Sequence, residues 1–99
     1  MENAKSYSGL FIIVPEKADS VEDVQKSISS IISENSGNIV KTNIMGKRTL
    51  AYPIKKKTEG IYCEVIFTAP AEAIASMTRL FQINTDLLRA VVTLKKEIS

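Results

Sequence analysis

Four apolar or alternating segments and two stretches of helical periodicity, in the order strand, helix, strand, strand, helix, strand, predict an α+β domain. That order is the ferredoxin-like βαββαβ arrangement, a four-stranded antiparallel sheet with two helices on one face. Ninety-nine residues, 44% hydrophobic and 24% charged, suit a single domain that buries roughly two-thirds of its unfolded surface.

Tyr7 to Val14 holds the run Leu10, Phe11, Ile12, Ile13 and Val14, stops at Pro15 and reads as a central strand. Asp19 or Ser20 then caps a helix, with Glu22 and Asp23 where a capping-box acid belongs. Val21, Val24, Ile28, Ile31 and Ile32 recur at three- and four-residue steps and form its buried stripe. Gly37 is placed to take the left-handed conformation that closes the helix.

From Asn38 to Ile54 the chain alternates through Val40, Thr42 and Ile44, then through Leu50, Tyr52 and Ile54, with Gly46 as a bulge between. Pro53 and the charges Lys41, Lys47 and Arg48 assign this long strand to a sheet edge. Lys55 to Gly60 form a turn into a dense apolar strand, Ile61 to Ala69. Pro70 opens a second helix whose apolar face is Ile74, Met77, Leu80 and Phe81, and Asn84-Thr85-Asp86 ends it. Leu88 to Leu94 is the last strand, an edge. Right-handed crossovers set both helices on one face and leave the other open.

Several chemistries are excluded. Without histidine there is no Ser-His or Cys-His nucleophile system. The single Cys63, between Tyr62 and Glu64 in an apolar strand, forms neither an internal disulfide nor a multi-thiolate zinc site. There is no phosphate loop, dinucleotide glycine motif or metal-ligand spacing, so no metal, cofactor or catalytic residue is assigned. Met1 to Lys5 lacks the apolar run of a leader and no segment approaches a membrane span, so a reducing cytoplasm and no membrane association are expected.

The net charge of +2 conceals an asymmetry. Residues 1–40 carry three bases and six acids, residues 41–60 six and one, and residues 61–99 four and four. The positive potential lies in Gly46-Lys47-Arg48-Thr49-Leu50-Ala51-Tyr52-Pro53-Ile54-Lys55-Lys56-Lys57, a cationic hairpin arm with Tyr52 between two levels of charge. Phosphate is its natural partner, Lys as a mobile point charge and Arg as a planar fork. The alternative is a solvated tip whose charges protect an edge strand. Tyr7, Tyr52 and Tyr62 either share the open sheet face or fill the core. Arg89 either reaches a phosphate or pairs with Asp86, and Lys95 and Lys96 extend the basic surface or fray. Glu16, Asp19, Glu22 and Asp23 complement a helix N-terminus.

Leu50-Ala51-Tyr52-Pro53-Ile54, preceded by Gly46-Lys47-Arg48 and followed by Lys55 and Gly60-Ile61-Tyr62, resembles the family of the bacterial small-subunit ribosomal protein numbered six. Tyr7 eight residues before Pro15, Gly37-Asn38-Ile39 and Leu87-Leu88-Arg89 extend the resemblance from about Lys5 to Lys96. It implies a structural, non-enzymatic constituent of the small ribosomal subunit that binds the central domain of 16S rRNA together with the small-subunit protein numbered eighteen, and is a monomer alone. By position, the rRNA-binding residues are then Lys47, Arg48, Lys55, Lys56, Lys57, Arg89 and Lys5, and Tyr7, Tyr52, Ile54 and Tyr62 pack against RNA or the partner. The rival readings are a ferredoxin-like regulatory module that binds a metabolite or dimerises through its open sheet, and an acyl-phosphate or phosphate-ester hydrolase on the same fold.

Overall fold

The computed structural model describes residues 4–95. Strand β1 (Ala4–Ile13) leads through a 3-10 turn at Pro15–Ser20 into helix α1 (Val21–Glu34), followed by β2 (Asn38–Ile54) and β3 (Lys57–Pro70). A second 3-10 turn, Ala71–Ala73, precedes helix α2 (Ile74–Ile83), and β4 (Leu87–Leu94) completes the sheet. The order across the sheet is β2-β3-β1-β4 with every neighbour antiparallel. The fold is the ferredoxin-like one, with the two most apolar strands central and the two charge-bearing ones at the edges.

Strand alternation separates the faces. Tyr7, Phe11 and Ile13 from β1 and Ile61, Cys63, Val65 and Phe67 from β3 point to one side, where they bury Val24, Ile28 and Ile32 of α1 and Met77 and Phe81 of α2. Both helices therefore cover the same face. Phe11 and Phe81 meet edge to face at 4.8 Å between centroids, a geometry that contributes about 0.5–1.5 kcal/mol beyond burial and ties β1 to α2. Tyr7 belongs to this core: only 7% exposed, it stacks on Phe67 at 5.8 Å. It lies under the helices, which removes it as a group on the open face.

Four local expectations are corrected. Ser20 is the residue before α1, but its side chain makes no capping hydrogen bond, because the 3-10 turn already delivers the chain into the helix. At the other end of α1 the left-handed residue is Ser36 (φ 67°), not Gly37. Gly37 N–H donates to Ile32 O at 2.8 Å and Ser36 N–H to Ser33 O at 3.2 Å, the paired bonds of a Schellman cap. Glycine is required at 37 for space instead, since a Cβ there would stand 2.6 Å from Ile32 Cγ2. Pro70 remains within β3, opposite Ala4, and α2 begins at Ile74. The hairpin turn contains only Lys55 and Lys56, and Lys57 to Gly60 already belong to β3.

Candidate nucleic-acid interface

The site is built where β2 leaves regular pairing. Its register against β3 shifts at Ile39/Lys41, at Ile44/Gly46 and finally between Thr49 and Ile54. Gly46, at φ 96°, supplies the middle irregularity, as the sequence predicts. Released from β3 after Thr49, the arm crosses the face opposite the helices. Leu50, 8% exposed, packs with Ile12 of β1 and Leu88 of β4, and Val14, Ile54 and Tyr62 close around them. This second, smaller apolar cluster spans the sheet at its hairpin end. Gly60 lies beneath it: a Cβ there would sit 2.4 Å from Ile12 Cγ2.

Basic and aromatic groups ring this cluster. The Arg48 guanidinium lies over the Tyr62 ring at 5.8 Å, and the Arg89 guanidinium over the Tyr52 ring at the same distance. Tyr52 starts on one edge strand and Arg89 on the other, so the second pair straps the arm across the sheet. Each contact is within cation–π range, worth about 0.5–1 kcal/mol at exposed positions. Arg89 therefore does not pair with Asp86, whose carboxylate faces Lys17 at 3.9 Å. Lys55 and Arg89 line the same cleft of about 340 Å³ with Phe81, Gln82 and Leu87 to Val91.

At the tip, Lys55 (φ 50°) and Lys56 (φ 68°) both adopt positive φ. A two-residue hairpin loop with positive φ at both central positions ordinarily uses Asn-Gly or Asp-Gly, which avoid the steric cost of a longer side chain in that region. Here two lysines occupy it, and neither makes an ion pair among the described residues. Two other predicted phosphate ligands do. Lys47, on the helix side of β2 by its pairing with Ile61, faces Glu59 at 3.7 Å. Lys57 is paired with Glu16. Glu16, in the first turn of the 3-10 segment as expected of an acid at a helix N-terminus, is also a partner of the arm, and its hydrogen bond to the Lys57 ammonium, reinforced by one to its own backbone, holds the carboxyl below the usual range.

The fold thus gathers Arg48, Tyr52, Tyr62, Arg89, Lys55 and Lys56 at one end of the open face. Ile54 is half-buried in the clasp. Lys5, paired opposite Ala69, is at the far end of β1 and does not join them. Lys95 is exposed, also at that far end through its bond to Ser6, while Lys96 and Met1 to Asn3 lie outside the described residues. The arm's crossing was not legible: Leu50, Tyr52 and Ile54 alternate as any half-buried strand would, and only three-dimensional packing turns that alternation toward β4.

Burial, with Glu64 adding to it, pushes the Cys63 thiol up to about 11. Among the described residues no group of three His, Cys, Asp or Glu is placed to hold a metal, and no helix is long and apolar enough to cross a membrane.

Comparison with known proteins fits this geometry. The chain is 37% identical over 94% of its length to the small ribosomal subunit protein bS6 of Pseudarthrobacter chlorophenolicus, covering 93% of that protein. It is 38% identical over 96% of its length to bS6 of Campylobacter hominis, covering 68% of it. The crystal structure of 30S ribosomal protein S6 from Thermotoga maritima superposes with a TM-score of 0.85 at 26% identity, covering 93% of this chain and 88% of that one. Residues 6–93 match the family model for ribosomal protein S6. By fold and by sequence, this chain belongs to the ribosomal protein S6 family.

Proposed function

We propose that this protein is a non-catalytic structural constituent of the small ribosomal subunit, in the cytoplasm, that docks on 16S rRNA through its hairpin arm and shares the site with the small-subunit protein numbered eighteen. The observation that carries the reading is the tip: Lys55 and Lys56 stand at positive φ, without an acidic partner among the described residues, where less costly residues would suffice. Strain of this kind is retained where the side chains are used. Lys55 and Lys56 supply mobile charges for phosphate oxygens, and Arg48 and Arg89, held over tyrosine rings, present planar forks that pair with phosphate or pack on an unpaired base. Lys47 and Lys57, each offset by its own acid, would reach phosphate only by giving up Glu59 or Glu16. Beyond the clasp, Leu10, Ile66 and Val91 remain partly exposed on the open face and offer apolar surface to the partner protein.

The test is retention of a central-domain 16S rRNA fragment across a salt series, with and without the partner. Charge reversal at Arg48, Lys55 and Lys56 lowers affinity and flattens the salt slope by roughly 0.7–0.9 for each phosphate that is no longer neutralised. Unchanged affinity and slope in the folded triple variant would refute the assignment.

A further inference from the structure

The two sheet edges differ in a way that RNA docking does not explain. β2 carries Lys41, Lys47, Arg48 and Pro53 and three register shifts, the devices by which edge strands avoid pairing with other chains. β4, Leu-Leu-Arg-Ala-Val-Val-Thr-Leu, has one charge and no proline, and runs in unbroken register with β1 from Arg89 to Leu94. Lys95 N–H donates to Ser6 O at 2.9 Å. In an antiparallel pair the bonded positions alternate, so Arg89, Val91 and Thr93 turn their backbone groups to β1. Ala90, Val92 and Leu94 turn theirs outward, six backbone donors and acceptors on an open edge. The side chains flanking that edge are apolar and uncovered, Val91 being 43% and Leu94 53% exposed. At the Leu87 end the edge runs into the cleft lined by Lys55, Gln82 and Arg89, and at the other end stands the exposed Lys95.

We infer that the β4 edge accepts an extended polypeptide strand from another protein, added antiparallel as a fifth strand, with apolar residues in its middle and an acidic residue at each end. Backbone pairing with Ala90, Val92 and Leu94 supplies register, the apolar residues cover Val91 and Leu94, and the acids face Lys55 with Arg89 at one end and Lys95 at the other. Charge argues against a second copy of this chain. Two-fold pairing about Val92 sets Arg89 of one copy opposite Lys95 of the other, a like-charge contact. The inference shares Lys55 and Arg89 with the rRNA reading and Val91 with the surface offered to the partner there, and is distinguished from both by backbone pairing along β4, which the experiment reads directly.

The experiment is an amide NMR titration of the intact protein with a capped eight-residue peptide of Thr with two Val three positions apart, to meet Val91 on one face and Leu94 on the other, ended by Glu, against a control ended by Lys. The Glu peptide shifts the Ala90, Val92 and Leu94 amides and slows their hydrogen exchange, while Arg89, Val91 and Thr93, already bonded to β1, keep their protection. Leu94→Pro, which deletes one outward N–H at a tolerated edge position, weakens binding by about fivefold to tenfold. Val91→Lys, an exposed change that leaves every backbone group in place, weakens it comparably and serves if the proline variant does not fold. The inference is overturned by the absence of β4 shifts, by equal binding of the Lys peptide, by a mass that grows with concentration and protects the same amides, or by an RNA fragment producing the same protection.

Discussion

Replacing Lys55-Lys56 by Asn-Gly separates the stability of the arm from its use. Both lysines occupy the left-handed region, at φ 50° and 68°, where a side chain with an ordinary Cβ costs about 1–2 kcal/mol. Glycine at 56 removes the steric cost and returns about 0.4–1 kcal/mol of it through the greater freedom of the unfolded chain. Asparagine at 55 tolerates the conformation and recovers part of the rest. The double variant Lys55→Asn/Lys56→Gly should therefore be more stable by about 1 kcal/mol, which raises Tm by about 4–8 °C in a domain of this size. The same change deletes two positive charges, so the slope of log affinity against log salt for rRNA falls by about 1.4–1.8 if both contact phosphate. Thermal unfolding followed by circular dichroism and filter retention across a salt series read the two effects on one preparation. A variant that is no more stable than the parent refutes the strain argument. One that is more stable yet binds RNA with an unchanged salt slope refutes the functional use of the tip.

The clasp, the hairpin base and the buried thiol each give a further expectation. Gly60→Ala drives a Cβ to within 2.4 Å of Ile12 Cγ2, a branched methyl held close to its backbone, and lowers stability by about 1–3 kcal/mol in urea unfolding; a neutral result would show that Ile12 has room to yield and that the contact between β3 and β1 there is not tight. Because the Glu16 pKa is lowered on folding, the contribution of its pair with Lys57 is complete above the ordinary value of 4.5 and is lost as pH falls through the lower folded value. The stability difference between the parent and Glu16→Gln should thus shrink as denaturant midpoints are followed into acid, and a pH-independent difference would remove the pair. Cys63, raised from 9.0 to about 11, has the opposite sign: its buried neutral thiol favours the fold fully below pH 9.0, and stability falls as pH rises toward 11. Native protein should resist a thiol reagent at neutral pH and react only on unfolding; rapid labelling of the folded chain would contradict the burial.

The elements themselves were written in local pattern. The spacing of Val24, Ile28 and Ile32 demands a helix with one buried face, and the runs around Phe11 and Phe67 demand strands covered by something apolar. Pro53 and the charges of β2 demand an edge. Periodicity reports which residues must leave water, and for this sheet that was enough to order its strands. It also located the basic segment, since charge is a property of composition.

What local pattern does not carry is where a segment that has lost its ladder goes. Leu50 and Tyr52 cross from one edge of the sheet toward the other because Ile12 and Leu88 offer an apolar platform, bare of any helix and with no side chain at Gly60 to hold the arm away. That crossing brings Tyr52 to Arg89, thirty-seven positions later in the chain. Likewise the sequence set Glu16 at a helix entrance, and tertiary structure gave it to Lys57. Burial depends on each residue's own affinity for water and is readable one segment at a time. Pairing depends on distances between segments remote in sequence, which exist only once the chain has folded.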